Sequence, residues 1–226
     1  MAYKRKYTPR RSTRRRRAAP WYKKKYSVAQ IAVKAAKGVR YLSGLVNSEK
    51  FKFDVNGTTN LNSFGTVIPL TSIPIGNSDE DRTGNSIFVR HITNRLSFSL
   101  DPAHTGLFQR CRVMLFIDTQ QYSDTTPTVG AVLETVGVSA AYMSLLNTGS
   151  VGRFRILKST YVTLNADKPT RTLDWDFNLR HHVRYNGPLG SDIQKGGLYL
   201  LAISDQPTNG DLPTMQYLNR VSYHDN

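Results

Sequence analysis

From residue 49 onward, apolar side chains recur at every second position, and that period commits most of this chain to strands. Phe51, Phe53 and Val55 alternate with Lys52 and Asp54. Cys111, Val113, Leu115 and Ile117 alternate with Arg112, Met114, Phe116 and Asp118, and Leu173, Trp175, Phe177 and Leu179 with Asp174, Asp176 and Asn178. Successive Cβ atoms of a strand point to opposite faces, so each apolar set predicts one buried face. Residues 198–203, LYLLAI, are continuously apolar, as a strand buried on both sides would be. Further strands are predicted over 66–73, 86–100, 154–164 and 214–223. Turn-forming clusters separate them: IGNSDEDRTGN, LDPAHTG, YSDTTPT, LNADKPT, YNGPLGSD and SDQPTNGD. Asn56-Gly57 also reads as a turn; with Thr58 it fits a glycosylation pattern, which needs a secretory route. Only 129–147 could hold helix within this region. About eight strands without alternating long helices predict an all-β sandwich or barrel.

The charge is divided as sharply as the period. Residues 1–40 hold fifteen Lys and Arg and no acid, whereas residues 41–226 hold sixteen of each sign. The chain of 226 residues therefore carries its whole formal charge of +15 in an N-terminal arm. In residues 1–26 every large apolar group is aromatic: Tyr3, Tyr7, Trp21, Tyr22 and Tyr26. Such a segment buries too little apolar area to offset chain entropy, and it is expected to be disordered alone. Over 27–47, Val28, Ile31, Ala35, Val39, Leu42 and Val46 recur at three and four, which predicts a short amphipathic helix weakened by Gly38 and Gly44. Lys34, Lys37 and Tyr41 line a second stripe, with Arg40 nearby. The resulting division is an Arg/Lys-rich arm (1–26), a connector (27–47) and a β-rich body (48–226).

The arm needs a polyanion. Lys4, Arg5, Lys6, Arg10, Arg11, Arg14, Arg15, Arg16, Arg17, Lys23, Lys24 and Lys25, with Lys34, Lys37 and Arg40 of the helix, are the candidate nucleic-acid contacts. Cations placed at phosphates release counterions, so binding is predicted to be sequence-blind and salt-sensitive. The interleaved aromatics and arginines can stack on unpaired bases. The run Arg14–Arg17 also fits a nuclear import signal. The helix lacks the bulky apolar face of a membrane-surface helix, and packing on the body or on nucleic acid is favoured. No apolar run is long enough to span a bilayer, no secretory signal is evident, and cytosolic synthesis is expected.

Candidate chemistry in the body reads as structural. Asp79-Glu80-Asp81 is an exposed acidic turn in the favoured reading, although a cation shared between subunits is an alternative. Asp174 and Asp176 share a face opposite Trp175 and look like solvent-side residues. His181 and His182 are adjacent and point to opposite faces, so they cannot chelate together. His91, His104 and His224 make no ligand spacing, and no nucleophile-elbow, phosphate-loop or zinc motif occurs. The single cysteine, Cys111, excludes an intrachain disulfide and reads as a buried thiol. No enzyme, cofactor or metal site is predicted.

Three segments carry a resemblance. Gly65-Thr66-Val67-Ile68-Pro69-Leu70 followed by Asp81-Arg82-Thr83-Gly84-Asn85-Ser86-Ile87 resembles a strand–loop–strand with an R-x-G-x-x-I core. Arg112–Gln120 resembles a strand ending in D-x-Q, and Phe154-Arg155-Ile156-Leu157-Lys158 a later strand. Together with the arm, they resemble capsid proteins of circular, replication-initiator-encoding single-stranded DNA viruses, whose barrel is similar to that of satellite plant-virus coat proteins. The resemblance implies an eight-stranded antiparallel jelly roll and a homo-oligomeric icosahedral shell, simplest at sixty copies. It implies a single-stranded DNA genome, with RNA as the alternative. It further implies import receptors, an attachment receptor, virion localisation and assembly in the host nucleus. Two rival readings remain open: a cellular nucleic-acid-binding β-barrel with a basic extension, and a jelly-roll enzyme with a basic tail.

Overall fold

A computed structural model describes residues 27–46, 50–121 and 124–225 in two compact units that divide near residue 44. The first holds helix α1 (Val28–Val46). Its start is set by a reciprocal pair: the Gln30 N–H donates to Ser27 Oγ (3.2 Å) and the Ser27 N–H to Gln30 Oε1 (3.1 Å). This satisfies two amides that the first helical turn would leave open. The helix runs through Gly38, as the apolar spacing predicts.

The second unit is built from β1 (Phe51–Asn60), β2 (Thr66–Pro69), β3 (Ser86–Ser99), β4 (Gln109–Asp118), β5 (Phe154–Leu164), β6 (Thr170–Tyr185), β7 (Ile193–Lys195), β8 (Gly197–Ser204) and β9 (Thr214–Asp225). One sheet has the order β1-β9-β3-β6-β7 and the other β2-β8-β4-β5. All pairings between these strands are antiparallel, and the first strand lies beside the last. Eight of the strands in this order form a jelly roll. The ninth, β7, adds three residues to one edge. It is too short for a two-residue period to reveal, and Gly196, at φ 82°, separates it from β8.

Several boundaries differ from the sequence reading. Asn56-Gly57 lies inside β1, opposite Leu218 and Tyr217, and is no turn. A Cβ at Gly57 would stand 2.5 Å from Tyr217 Oη, so the glycine there makes room for a ring. The strand expected over 66–73 ends at Pro69, which has no N–H to continue the ladder. Residues 129–147 hold only α2 (Val129–Val132) and a 3-10 turn at Ala141–Met143.

That segment still has a structural task. Cys111, Val113, Leu115 and Ile117 share one face of β4 and Arg112, Met114, Phe116 and Asp118 the other, yet all eight are buried. β8 is buried along its whole length, as its continuous apolar run predicts. The connection between β4 and β5 accounts for the second buried face, contributing Val132, Leu133, Ala141 and Tyr142 to the core. Arg110 donates from Nη1 to Tyr142 Oη (3.0 Å), and Arg112 donates from Nε to Ser159 Oγ (3.0 Å) and from Nη1 to the Ser144 carbonyl. In the five-stranded sheet, the register is pinned by a buried amide pair. Asn94 and Asn219 face each other across β3 and β9, and Asn94 Nδ2 donates to Asn219 Oδ1 (2.6 Å). A slip of one residue would turn both amides away and set other side chains inward.

Candidate nucleic-acid and shell-building surfaces

The predicted arm contacts Lys4, Arg5, Lys6, Arg10, Arg11, Arg14 to Arg17 and Lys23 to Lys25 lie outside the described residues. Lys34, Lys37 and Arg40 lie on α1 at intervals of three, so they wind slowly across one side of the helix. Ile31, Val39 and Leu42 occupy the other side. All six of these side chains are exposed. The helix therefore offers a cationic stripe at phosphate-scale spacing and a separate apolar stripe.

Arg82 shows what the R-x-G-x-x-I segment does in the body. Its guanidinium is fully buried, although no carboxylate pairs with it among the described residues. It donates instead to backbone carbonyls: Nε to Ile73 (2.8 Å), Nη1 to Gly84 (2.6 Å), and Nη2 to Gly187 and, more weakly, Leu189 (3.4 Å). Its plane lies 3.9 Å from the centroid of the Tyr185 ring, and Tyr185 Oη donates to the Thr71 carbonyl (2.7 Å). Burial pulls the Arg82 pKa below its ordinary value and pushes that of Tyr185 well up. One side chain thus ties the β2–β3 connection to the β6–β7 connection. Ile87 is buried as the first core residue of β3.

The D-x-Q segment plays a matching part at the end of β4. Asp118 is fully buried and accepts from Arg153 Nη2 (2.7 Å) and Nε (3.0 Å), while the Gln120 N–H donates to its Oδ1 (3.1 Å). This pair closes both ends of the long connection that covers β4 and β8. The Arg153 guanidinium also lies 4.7 Å from the Phe154 ring centroid. Both motifs therefore fix loops at the ends of the sandwich; neither assembles a reactive site.

The remaining candidates fall where the sequence places them. Asp174 and Asp176 are exposed, and Asp174 pairs with Arg95 (3.0 Å) while Trp175 is buried on the opposite face. The Ser78 side chain first, and then the Ser78 N–H that donates to Asp81 Oδ2 (3.0 Å), hold the Asp81 carboxyl below the ordinary range. Asp79 and Glu80 border an open cleft of about 500 Å³ together with Lys50, Lys52, Asp54 and Arg220, so both signs line it. Among the described residues no three His, Cys, Asp or Glu are placed to share a metal. His181 is half-buried against the Gly196 carbonyl (2.9 Å), and burial lowers its pKa, whereas His182 is exposed on the other face. Burial pushes the Cys111 thiol far up, away from reactivity. No described helix is long and apolar enough to cross a membrane.

Sequence reasoning missed two things that local signals encode. Ser27-x-x-Gln30 is a capping signature. Arg180, His182 and Arg184 sit two apart on a strand, which is a cationic face written in the same period as the core.

A jelly roll whose end loops are fixed by buried arginines, joined in sequence to a strongly cationic leader, has the build of a viral coat protein. The chain belongs to the satellite tobacco necrosis virus coat protein family, whose family model matches residues 23–225. Membership gives the protein a structural role in the virion. Solved structures show weaker likenesses. A Desmodium yellow mottle tymovirus chain is 9% identical, with 76% of this chain and 85% of that chain covered, at a TM-score of 0.32. A nodavirus of the giant freshwater prawn Macrobrachium rosenbergii is 14% identical, with 78% and 95% covered, at 0.27. Mud crab tombus-like virus is 13% identical, with 78% and 82% covered, at 0.25. No curated protein matches.

Proposed function

We propose that this coat protein assembles into a small closed shell, sixty copies in its simplest form, and packages single-stranded nucleic acid through residues 1–26. The observation that carries this reading is the charge division: fifteen cations and no acid in residues 1–40, and a zero sum in residues 41–226. Bodies without net charge can tile against one another without large repulsion. Arms gathered inside would bring on the order of 900 positive charges per shell, a load that needs a polyanion of comparable size. The connector 27–47, which contains α1, then serves on the inner surface, with Lys34, Lys37 and Arg40 adding to the arm's contacts. The motif resemblance alone favours DNA over RNA. With it go import through Arg14–Arg17, nuclear assembly and an attachment receptor on the shell.

Light scattering and negative-stain microscopy of the purified chain test the assembly. Closed particles of roughly twenty nanometres are expected from bodies of this size; a monodisperse monomer, with or without nucleic acid, would overturn it. Deleting residues 1–26 tests the arm. The expected result is loss of nuclease-protected nucleic acid, and unchanged packaging would refute the role given to the arm. Sequencing the protected strand from intact particles reads out DNA or RNA directly.

A further inference from the structure

The zero charge sum of the body conceals a local excess. At one end of the five-stranded sheet, the solvent face carries Phe88 and Arg90 from β3, Arg180, His182 and Arg184 from β6, and Lys195 from β7. The register makes these neighbours. Phe88 lies opposite His182, and Arg184 lies opposite Lys195. The Phe88 and His182 ring centroids are 4.6 Å apart, and the Arg90 guanidinium carbon lies 6.0 Å from the Phe88 centroid. Arg180 and Arg184 flank His182 on the same strand face, and Arg90, Arg180, His182, Arg184 and Lys195 are all exposed. Among the described residues none of these four cations has a carboxylate within ion-pair distance. Elsewhere on the same sheet the acids are matched: Asp54 with Arg220, Asp174 with Arg95.

The backbone is bent to make this arrangement. The β3–β6 register shifts between Val89 and His91. Arg180, in the same irregularity, has φ 52°, the one positive φ at a non-glycine among the described residues. Glycine or asparagine would hold that conformation with less strain, so a long cation there is a costly choice. Phe88 and Arg90 lie two apart on β3, so strand alternation places both on the solvent face.

From this geometry we propose that the patch is a second nucleic-acid contact, on the body itself, for a single strand whose phosphates meet Arg90, Arg180 and Arg184 and whose bases stack at Phe88 and His182. Unpaired cations around a half-exposed aromatic pair suit a backbone with bases splayed from it. A sulfated polysaccharide would use the cations and leave the rings idle. The proposal deepens the packaging reading and rests on it, since it adds a fixed landing point on the body to the arm's sequence-blind contacts.

The test uses the full chain and a fluorescent oligothymidylate, with affinity measured across a salt series. The variant Arg90→Gln/Arg180→Asn/Arg184→Gln keeps polar bulk, and its asparagine tolerates the left-handed backbone. Three lost phosphate contacts should flatten the slope of log affinity against log salt by about 2, with an unchanged melting temperature. A Phe88→Leu variant should weaken binding several-fold without changing that slope. An unchanged slope in the triple variant overturns the proposal, and so does a loss of heparin binding with oligonucleotide binding intact. A melting temperature that falls with the slope moves the decision to Phe88→Leu, where unaltered affinity overturns the proposal. A separate full-length variant with Arg14, Arg15, Arg16 and Arg17 changed to Gln reads the arm. If it leaves the slope intact while the triple variant flattens it, the arm reading falls and the patch stands.

Discussion

Replacing Arg82 with methionine should be among the most damaging single changes to the body. Methionine retains much of the volume and can still pack on the Tyr185 ring, but it donates no hydrogen bond. Three well-formed bonds from a charged donor, to the carbonyls of Ile73, Gly84 and Gly187, disappear. Each carbonyl left dry costs about 1–3 kcal/mol, about 6 kcal/mol for the three, and removal of the buried charge returns about 2 kcal/mol of the original desolvation cost. The net loss is about 4 kcal/mol, a large share of the 5–15 kcal/mol that holds an ordinary domain together. For a body of this size that lowers the melting temperature by about 8–16 °C. Circular dichroism of the unassembled chain at low ionic strength measures it. Arg95→Ala is the control, because the Arg95–Asp174 pair is exposed on both sides and its loss should leave the melting temperature almost unchanged. Lysine in place of Arg82 should recover little, since an ammonium cannot serve carbonyls lying in several directions with a planar fork. If Arg82→Met melts within two degrees of the parent, the carbonyl tie does not hold the loops and the account of the R-x-G-x-x-I segment is wrong.

Two other perturbations follow from the same bonds. Asp118→Asn should cost about 3 kcal/mol in urea denaturation, because it leaves the largely buried Arg153 without its counter-charge; a midpoint unchanged at constant slope would show that the pair is dispensable. Asp54 has its pKa lowered, first by its hydrogen bonds from Arg220, so its contribution is present above the unfolded carboxylate pKa and is lost as pH falls through the lower folded value. Asp54→Asn should therefore remove part of the acid sensitivity of stability at the low end of the titration. The effect should stay below 1 kcal/mol because the pair is partly solvated; an identical acid limb in parent and variant would contradict the pairing.

The D-x-Q and R-x-G-x-x-I segments mark the limit of what a sequence can disclose. Their residues stand out in one dimension, but Arg82 reaches Gly187 and Asp118 reaches Arg153, so their partners are set by how strands return. The helix was legible because its apolar spacing is local; its Ser27-x-x-Gln30 start, which the sequence reading passed over, is equally local. The strand at 198–203 was legible as doubly buried for the same reason. The second buried face of β4 was not, because Arg112 and Asp118 look solvent-facing until the segment after β4 folds over them.

The amino-acid order alone determined two things about this coat protein: a cationic leader followed by a neutral body, and a two-residue period broken by turns. Charge counts and side-chain alternation depend on nearest neighbours, so no folded partner is needed to read them. Tertiary structure alone decided which strands are neighbours, which carbonyls receive Arg82, and that four cations from three strands gather on one face of a body whose total charge is zero. A sum over residues carries no positions, and only the antiparallel register across β3, β6 and β7 supplies them.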